Sequence, residues 1–334
     1  MADDIVLTDR KPTDAAVEQD RDRAQFVSVV ICAYTPARWV DLCRAVESVL
    51  SQDGPIVDVI LVIDHCDELY GEAQARFFDD ERVTIVRNTE APGLSGARNA
   101  GVQAAHGDVI AFLDDDAIAE PGWVLALLAH YDDPEVACVG GYADPVWAES
   151  RPAWMPREFD WVVGCSYVGQ PTQLAVVRNP LGCNMSMRRS VINAVGGFRS
   201  EVGRVGSTPV GGEETEMCIR IRSSLGPNRV LFDPRMRVRH YVSSDRATLR
   251  YFVRRCHHEG MSKAIVKELA AAPGALDSER VYTLCILPLA VLREISSMRG
   301  YGLARAGMII LGFTVTCAGY LRASIGRRIT GRRP

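Results

Sequence analysis

Two acidic stretches carry the residue types from which chemistry can be built. The first is Asp108-Val109-Ile110-Ala111-Phe112-Leu113-Asp114-Asp115-Asp116, an apolar run that ends on three adjacent carboxylates. Like charges this close repel, and a hard divalent cation held by carboxylate oxygens is their natural partner. At the carboxyl end of a strand, where open α/β sheets bind ligands, such a cation could grip a diphosphate. A solvated acidic turn is the competing reading. The second stretch is Gly211-Gly212-Glu213-Glu214-Thr215-Glu216, with three acids in the first turn of a helix. The helix dipole alone favours acids there. A carboxylate close to metal-bound phosphates could equally take a proton from an acceptor hydroxyl. Spacing does not choose between the two.

Three further positions stand out. Asp64 follows the mostly apolar segment Val57 to Ile63. A carboxylate there faces a nucleotide in many doubly wound sheets, or caps the following helix. The Gly-rich segment Pro92 to Gly101 contains Arg98, which could hold phosphates at a helix N-terminus. It matches neither G-x-G-x-x-G nor the Walker pattern, so it is a weak nucleotide signal. His240 closes an alternating segment, as a core histidine or as a ligand.

The elements that must position these residues follow from periodicity. Phe26–Ala33, Val57–Ile63, Val83–Val86 and Val109–Leu113 are short apolar runs suited to strands buried on both faces. Helical patterns lie between them, at Trp39–Leu50, Glu68–Phe78 and the segment reaching Ala105. The rhythm predicts a doubly wound, mostly parallel α/β sheet flanked by helices. Further strands are expected at Val136–Gly141, Gly182–Met187, Val230–Asp233 and Arg237–Tyr241, and helices at Gly122–Tyr131 and Arg188–Val195. Trp147–Thr172 is aromatic and aperiodic, a loop that either lines a ligand site or packs as a lid on its own domain.

The 334 residues suffice for one large domain with an appendage, and 24% charged with 47% hydrophobic residues is ordinary for a globular chain. Ten cysteines without a Cys-x-x-Cys pair argue for reduced thiols and against a zinc site or a disulfide framework. The net charge of −4 divides unevenly: eight Arg and one Glu from Val281 onward give +7, leaving −11 for residues 1–280. That balance gives no support to a nucleic-acid-binding reading, and no nucleic-acid partner is expected. Residues 1–25 are polar and acidic without an apolar signal region, and are expected to be a flexible leader.

Over about Val27 to Lys263 the ordered motifs resemble a family-2 glycosyltransferase with the GT-A fold. They are Ala33-Tyr34-Thr35, Val62-Ile63-Asp64, Gly93 to Gly101, Phe112 to Asp116, Asn184 with Arg188-Arg189, Gly196-Gly197-Phe198 and Gly212 to Glu216. The resemblance implies inverting transfer of a sugar from a nucleoside diphosphate donor, most commonly a UDP-sugar. It implies that Ala33, Tyr34, Asp64 and Arg98 bind the nucleoside part and that Asp115 faces the donor ribose or sugar. Asp114 and Asp116 resemble the D-x-D pair, with Asp116 and then His240 as ligands to Mn²⁺ or Mg²⁺. The family base is the second acid of a Glu-Asp pair; this chain has Glu213-Glu214, so Glu214 matches, with Glu213 the alternative. A sugar-phosphate nucleotidyltransferase would carry a basic Gly-rich loop where Tyr34-Thr35-Pro36 stands. A non-catalytic sugar- or lipid-binding relative would lack Asp116 or the Glu pair.

The expected organisation is a leader over 1–25, a catalytic domain over 26–268, a linker from Ala270 to Asp277, and an apolar, basic helical segment over 278–334. Within the last, Val281–Leu292 and Ala306–Tyr320 are each shorter than the ~20 residues of a membrane span. Flanking arginines suggest helices lying on the anionic cytoplasmic face of a membrane, which makes a lipid-linked acceptor such as a polyprenyl phosphate or its glycoside reasonable. The soluble alternative is a helical hairpin packed on the catalytic domain or on a twin subunit.

Overall fold

The computed structural model describes residues 26–200, 211–270, 277–297 and 300–330. The expected leader, and residues 271–276 of the expected linker, lie outside the described residues. Strands β1 (Val27–Ala33), β2 (Ile56–Ile63), β3 (Val83–Arg87) and β4 (Val109–Asp114) are parallel, ordered β3-β2-β1-β4. Helices α1 (Trp39–Leu50), α2 (Asp67–Phe77) and α3 (Leu94–Ala104) are the crossovers. Burial on both faces explains the mostly apolar sequences of β1, β2 and β4, while β3 at the sheet edge is half-buried. Val27, Val29 and Ile31 pack with Leu42, Val46 and Val49 of α1 on one side of the sheet. Val30, Ile60 and Val62 meet Ala97 and Ala100 of α3 on the other.

Beyond β4 the sheet becomes mixed. It adds β5 (Ala117–Ala119), β6 (Cys138–Trp147), β7 (Ala175–Val176), β8 (Asn184–Arg188) and β9 (Val230–Val242). β8 is antiparallel to β4 and β6, β6 is parallel to β9, and β5 and β7 pair antiparallel with β9. The helices α4 (Trp123–Leu128), α5 (Arg189–Val195) and α6 (Glu213–Leu225) complete this half. Two expected strands, 230–233 and 237–241, are one strand interrupted by a bulge. Gly141 faces Asp233 while Tyr142 faces Arg237, so Pro234, Arg235 and Met236 loop out of register. Pro234 has no N–H to give the ladder. Gly141 is required here, since a Cβ would lie 1.8 Å from the Met236 carbonyl oxygen. Asn184 pins the bulge by donating to Tyr142 O (3.0 Å) and Met236 O (2.9 Å).

The C-terminal part consists of α7 (Leu249–Ala270), α8 (Asp277–Val281), a π-turn (Tyr282–Ile286), α9 (Leu287–Ser296) and α10 (Gly302–Thr330). The second apolar stretch is therefore part of a 29-residue helix. Leu303, Ala304 and Arg305 before it and Leu321 to Ala323 after it are strong helix formers, so the helix outruns the apolar count. By length and composition Gly302–Ile325 could cross a membrane, and 17% of its most apolar window is buried. It packs along α7 at glycine contacts: a Cβ on Gly260 would meet Thr316 O at 2.0 Å, and one on Gly319 would meet His257 O at 2.0 Å. A third core joins Met155, Phe159 and Val163 of the aromatic segment to Phe252 of α7, Ala290 of α9 and Ile309 of α10. That segment packs, through 3₁₀ turns over Arg157–Val163, against α7 and the C-terminal helices. All ten cysteines are free thiols.

Candidate active site

β4 delivers Asp114 at its carboxyl end, and the chain turns through Asp115 and Asp116 into β5. Because β5 pairs with β9, Ala117 stands opposite His240, and the Tyr241 amide donates to Asp116 O at 2.8 Å. His240 Nε2 consequently lies 3.1 Å from Asp116 Oδ1. One donor atom each from Asp114, Asp116 and His240 falls within 4.8 Å of the others. Two arginines that the sequence did not single out complete the cluster. Arg38 reaches Asp115 Oδ1 at 2.9 Å and Asp116 Oδ2 at 3.3 Å, and Arg246 reaches Asp116 Oδ2 at 3.2 Å. Their only sequence signal is a positive charge in a loop, which many surface residues share.

Burial alone would raise the Asp116 carboxyl, but His240, Arg246 and Arg38 outweigh it and hold the group far below the usual range. Asp115 goes the other way: burial and then the neighbouring Asp116 push it up to about 7, against Arg38. Two carboxylates and an imidazole are donors that a divalent cation accepts. Oδ2 of Asp115 is buried with no hydrogen-bond partner among the described residues, an acceptor left over for a bound group. The cluster therefore fits a divalent cation.

A cleft beside these carboxylates is lined by Ala33, Tyr34, Arg38, Asp64, Asp114 and Asp115, among others. Asp64 does not cap α2, whose N-cap is Cys66 with no side-chain bond. Its Oδ1 accepts from Asn88 Nδ2 (2.6 Å) and its Oδ2 from the Gly93 amide (2.9 Å), tying β2 to the Gly-rich loop. Arg98 stands apart from the cleft lining. It is 2% exposed, between the rings of Phe112 and Phe198. Its guanidinium lies 3.0 Å from Glu213 Oε1, 2.9 Å from Gly182 O and 3.5 Å from Asp114 Oδ1.

The three glutamates at the start of α6 are now distinguishable. Glu213 is buried on Arg98, and Glu216 is buried on Arg220 (2.7 Å) and Arg199 (3.2 Å). Glu214 alone lines a large cavity of about 640 Å³ between the sheet domain and the C-terminal helices. Burial, then repulsion from Glu213, raises its carboxyl to about 7. A carboxyl poised there can hold or accept a proton at neutral pH.

The sequence profile described as "Glycosyl transferase family 2" matches residues 28–196. A "Glucosyl-dolichyl phosphate glucuronosyltransferase" of Haloferax volcanii is 34% identical over 294 residues, covering 87% of this chain and 93% of that protein. Among solved structures, a mannosyltransferase from Pyrobaculum calidifontis in complex with GDP-Man and Mn²⁺ superposes with a TM-score of 0.59 at 16% identity, covering 94% of this chain and 89% of that one. A structure of GalNAc-T7 with UDP, GalNAc and Mn²⁺ gives 0.53 at 19% identity, covering 83% and 58%. These likenesses establish the mixed, mostly parallel GT-A fold. The chain is a glycosyltransferase and belongs to glycosyl transferase family 2.

Proposed function

We propose that this enzyme transfers a sugar, with inversion, from a UDP-sugar to a hydroxyl of a lipid-linked acceptor at the cytoplasmic face of a membrane. The observation that carries the reading is the placement of Glu214, raised to about 7, next to Glu213, whose partner Arg98 also contacts Asp114. The base and the diphosphate site are thereby held to one scaffold. Ala33, Tyr34 and Asp64 receive the nucleoside, and Asp115 receives the donor ribose or sugar. Asp114, Asp116 and His240 would hold Mn²⁺, which when bound stabilises the charge of the departing diphosphate. The Mn²⁺ complexes among the structural relatives agree with that choice.

Glu214 takes the proton of the acceptor hydroxyl. The acceptor oxygen then bonds to the anomeric carbon as the bond to the diphosphate oxygen breaks and its electron pair leaves with UDP. One displacement inverts the centre, and no covalent enzyme intermediate is needed. Arg98, shielded from the cleft, positions Glu213 rather than binding the nucleoside. Residues 26–268 form the catalytic unit and 278–334 the membrane-facing one. Supporting the latter, Leu284, Leu289, Leu292, Leu303, Ile310 and Ile325 are 55–74% exposed along α9, α10 and the turn before them. Since α10 lies along α7, which bears Arg254 and His258, it would rest in the interface and not span. The test is nucleotide release from a panel of UDP- and GDP-sugars with Mn²⁺, Mg²⁺ or EDTA. Cation-dependent release from one UDP-sugar is expected; release unaffected by EDTA would contradict the reading.

A further inference from the structure

The cavity that Glu214 lines is built unlike a purely polar sugar site. At about 640 Å³ it is large enough for a substantial ligand. Glu214 and Thr215 line it from the first turn of α6. Trp161, Tyr167 and Tyr282 add aromatic walls, with Tyr282 Oη accepting from Trp161 Nε1 at 3.2 Å. Phe313 and Leu321 of α10 line it as well, yet they are 42% and 58% exposed. The cavity therefore opens onto the same apolar helical surface that faces outward. One ligand could touch Glu214 and the membrane face together.

Between these walls runs a chain of charges. Arg178 Nη1 lies 2.5 Å from Glu279 Oε1, and Lys263 Nζ lies 2.7 Å from the same oxygen. Lys263 also meets Glu259 Oε1 at 3.1 Å, and Arg255 Nη1 meets Glu259 Oε2 at 2.8 Å. Arg178, Lys263 and Arg255 thus alternate with Glu279 and Glu259 along the cavity wall, and Glu214 lines the same cavity. Arg255 is 9% exposed, and its Nε has no hydrogen-bond partner among the described residues. The Arg255 guanidinium lies over the Trp161 ring at 5.8 Å, and its open N–H beside the Lys263 ammonium is suited to an anionic group with acceptor oxygens.

We propose that this cavity is the acceptor site, and that it takes an amphiphile whose monoanionic phosphodiester meets Arg255 and Lys263. Its sugar hydroxyl faces Glu214, and its hydrocarbon chain leaves past Phe313 and Leu321. The proposal rests on the transferase reading above and adds the chemistry of the acceptor. The aromatic walls match a sugar ring, the charge chain matches a phosphodiester, and the open apolar rim matches a lipid tail.

The test is calorimetry on the full chain in detergent, with farnesyl phosphate glucoside, methyl phosphate glucoside and inorganic phosphate as probes. UDP binding with Mn²⁺ is measured on each sample. The farnesyl compound is expected to bind at least tenfold more tightly than the methyl compound, with inorganic phosphate weaker still. Arg255→Gln and Lys263→Gln should each weaken it about tenfold or more, the loss of a charge-assisted bond, with UDP binding unchanged. Arg255→Lys serves where the glutamine variant does not fold. Phe313→Ala, at an exposed position, should weaken the farnesyl compound and leave the methyl compound unaffected. Equal binding of farnesyl and methyl compounds, or no effect of the Arg255 and Lys263 variants, would overturn the proposal. So would failure of the farnesyl compound to bind while UDP binds normally. Failure of UDP as well would instead overturn the transferase reading beneath it.

Discussion

Arg98 Nη1 lies 3.0 Å from Glu213 Oε1, and both side chains are buried. The other terminal nitrogen of the same guanidinium stands 3.5 Å from Asp114. Two acidic motifs far apart in sequence are thus joined by one arginine, itself fixed between the rings of Phe112 and Phe198. Moving either motif relative to the other requires breaking a buried ion pair.

Arg98→Ala should therefore do more than lose a contact. It strands Glu213 without a countercharge, which for a buried pair costs about 3–5 kcal/mol. Urea denaturation of the variant should show that loss. Arg98→Lys retains the charge but not the fork that reaches Glu213 and Asp114 together, so its stability should lie between the two. Equal stability of Arg98→Ala and the wild type would contradict the strut.

The pH dependence of transfer follows from Glu214. Its carboxyl, raised to about 7 by burial and by Glu213, must be ionised to accept a proton. A base with a raised value is lost on the acid side, so kcat/KM should fall about tenfold per unit below that value and level off above it. Glu213→Gln removes the neighbouring charge and should move this acid limb to lower pH. A profile with no acid limb near 7 would exclude Glu214 as the base.

Acid stability should report the charge chain beside the cavity. Burial would raise Glu259, but Lys263 and Arg255 outweigh it and bring the carboxyl down from 4.5 to about 2. A depressed carboxyl stabilises the fold at pH above its unfolded value and loses that contribution as pH falls through the folded one. The wild type should lose on the order of 2 kcal/mol from this group between about pH 4.5 and 2. Glu259→Gln, measured by denaturation across the same range, should be less stable near neutrality and less sensitive to acid.

The apolar surface of α9 and α10 should bind membranes. The protein is expected to float with vesicles containing anionic lipid, and a double change of Leu289 and Leu292 to Asp should abolish flotation without unfolding, since both are more than 60% exposed. Gly319→Val acts differently. Its side chain would collide with the His257 carbonyl and should pry α10 from α7, lowering stability by about 1–3 kcal/mol.

The parallel half of the sheet was legible because burial on both faces leaves unbroken apolar runs such as Val59–Ile63. The mixed half was less so. β9 reads as two strands because Pro234 interrupts it, and only pairing with β6 across the bulge makes it one. Asp64 allowed two readings because a carboxylate after a strand fits a cap as well as a nucleotide contact; the bonds that speak against the cap come from Asn88 and Gly93, remote in sequence. Arg38 and Arg246 carried no pattern at all, since their meaning comes from the fold bringing β4, β9 and two loops together. Likewise the sequence does not tell Glu213 from Glu214, because what differs between them is Arg98, which pairs with Glu213.

In the proposed mechanism Glu214 moves the proton while Asp114, Asp116 and His240 secure the donor. The most direct measurement compares wild type, Glu214→Gln and Asp116→Ala for two quantities, Mn²⁺-dependent UDP binding and sugar transfer. The account predicts that Glu214→Gln binds UDP like the wild type and loses transfer about a hundredfold or more, whereas Asp116→Ala loses both. Transfer at the wild-type rate by Glu214→Gln, or Mn²⁺-dependent UDP binding untouched in Asp116→Ala, would contradict it.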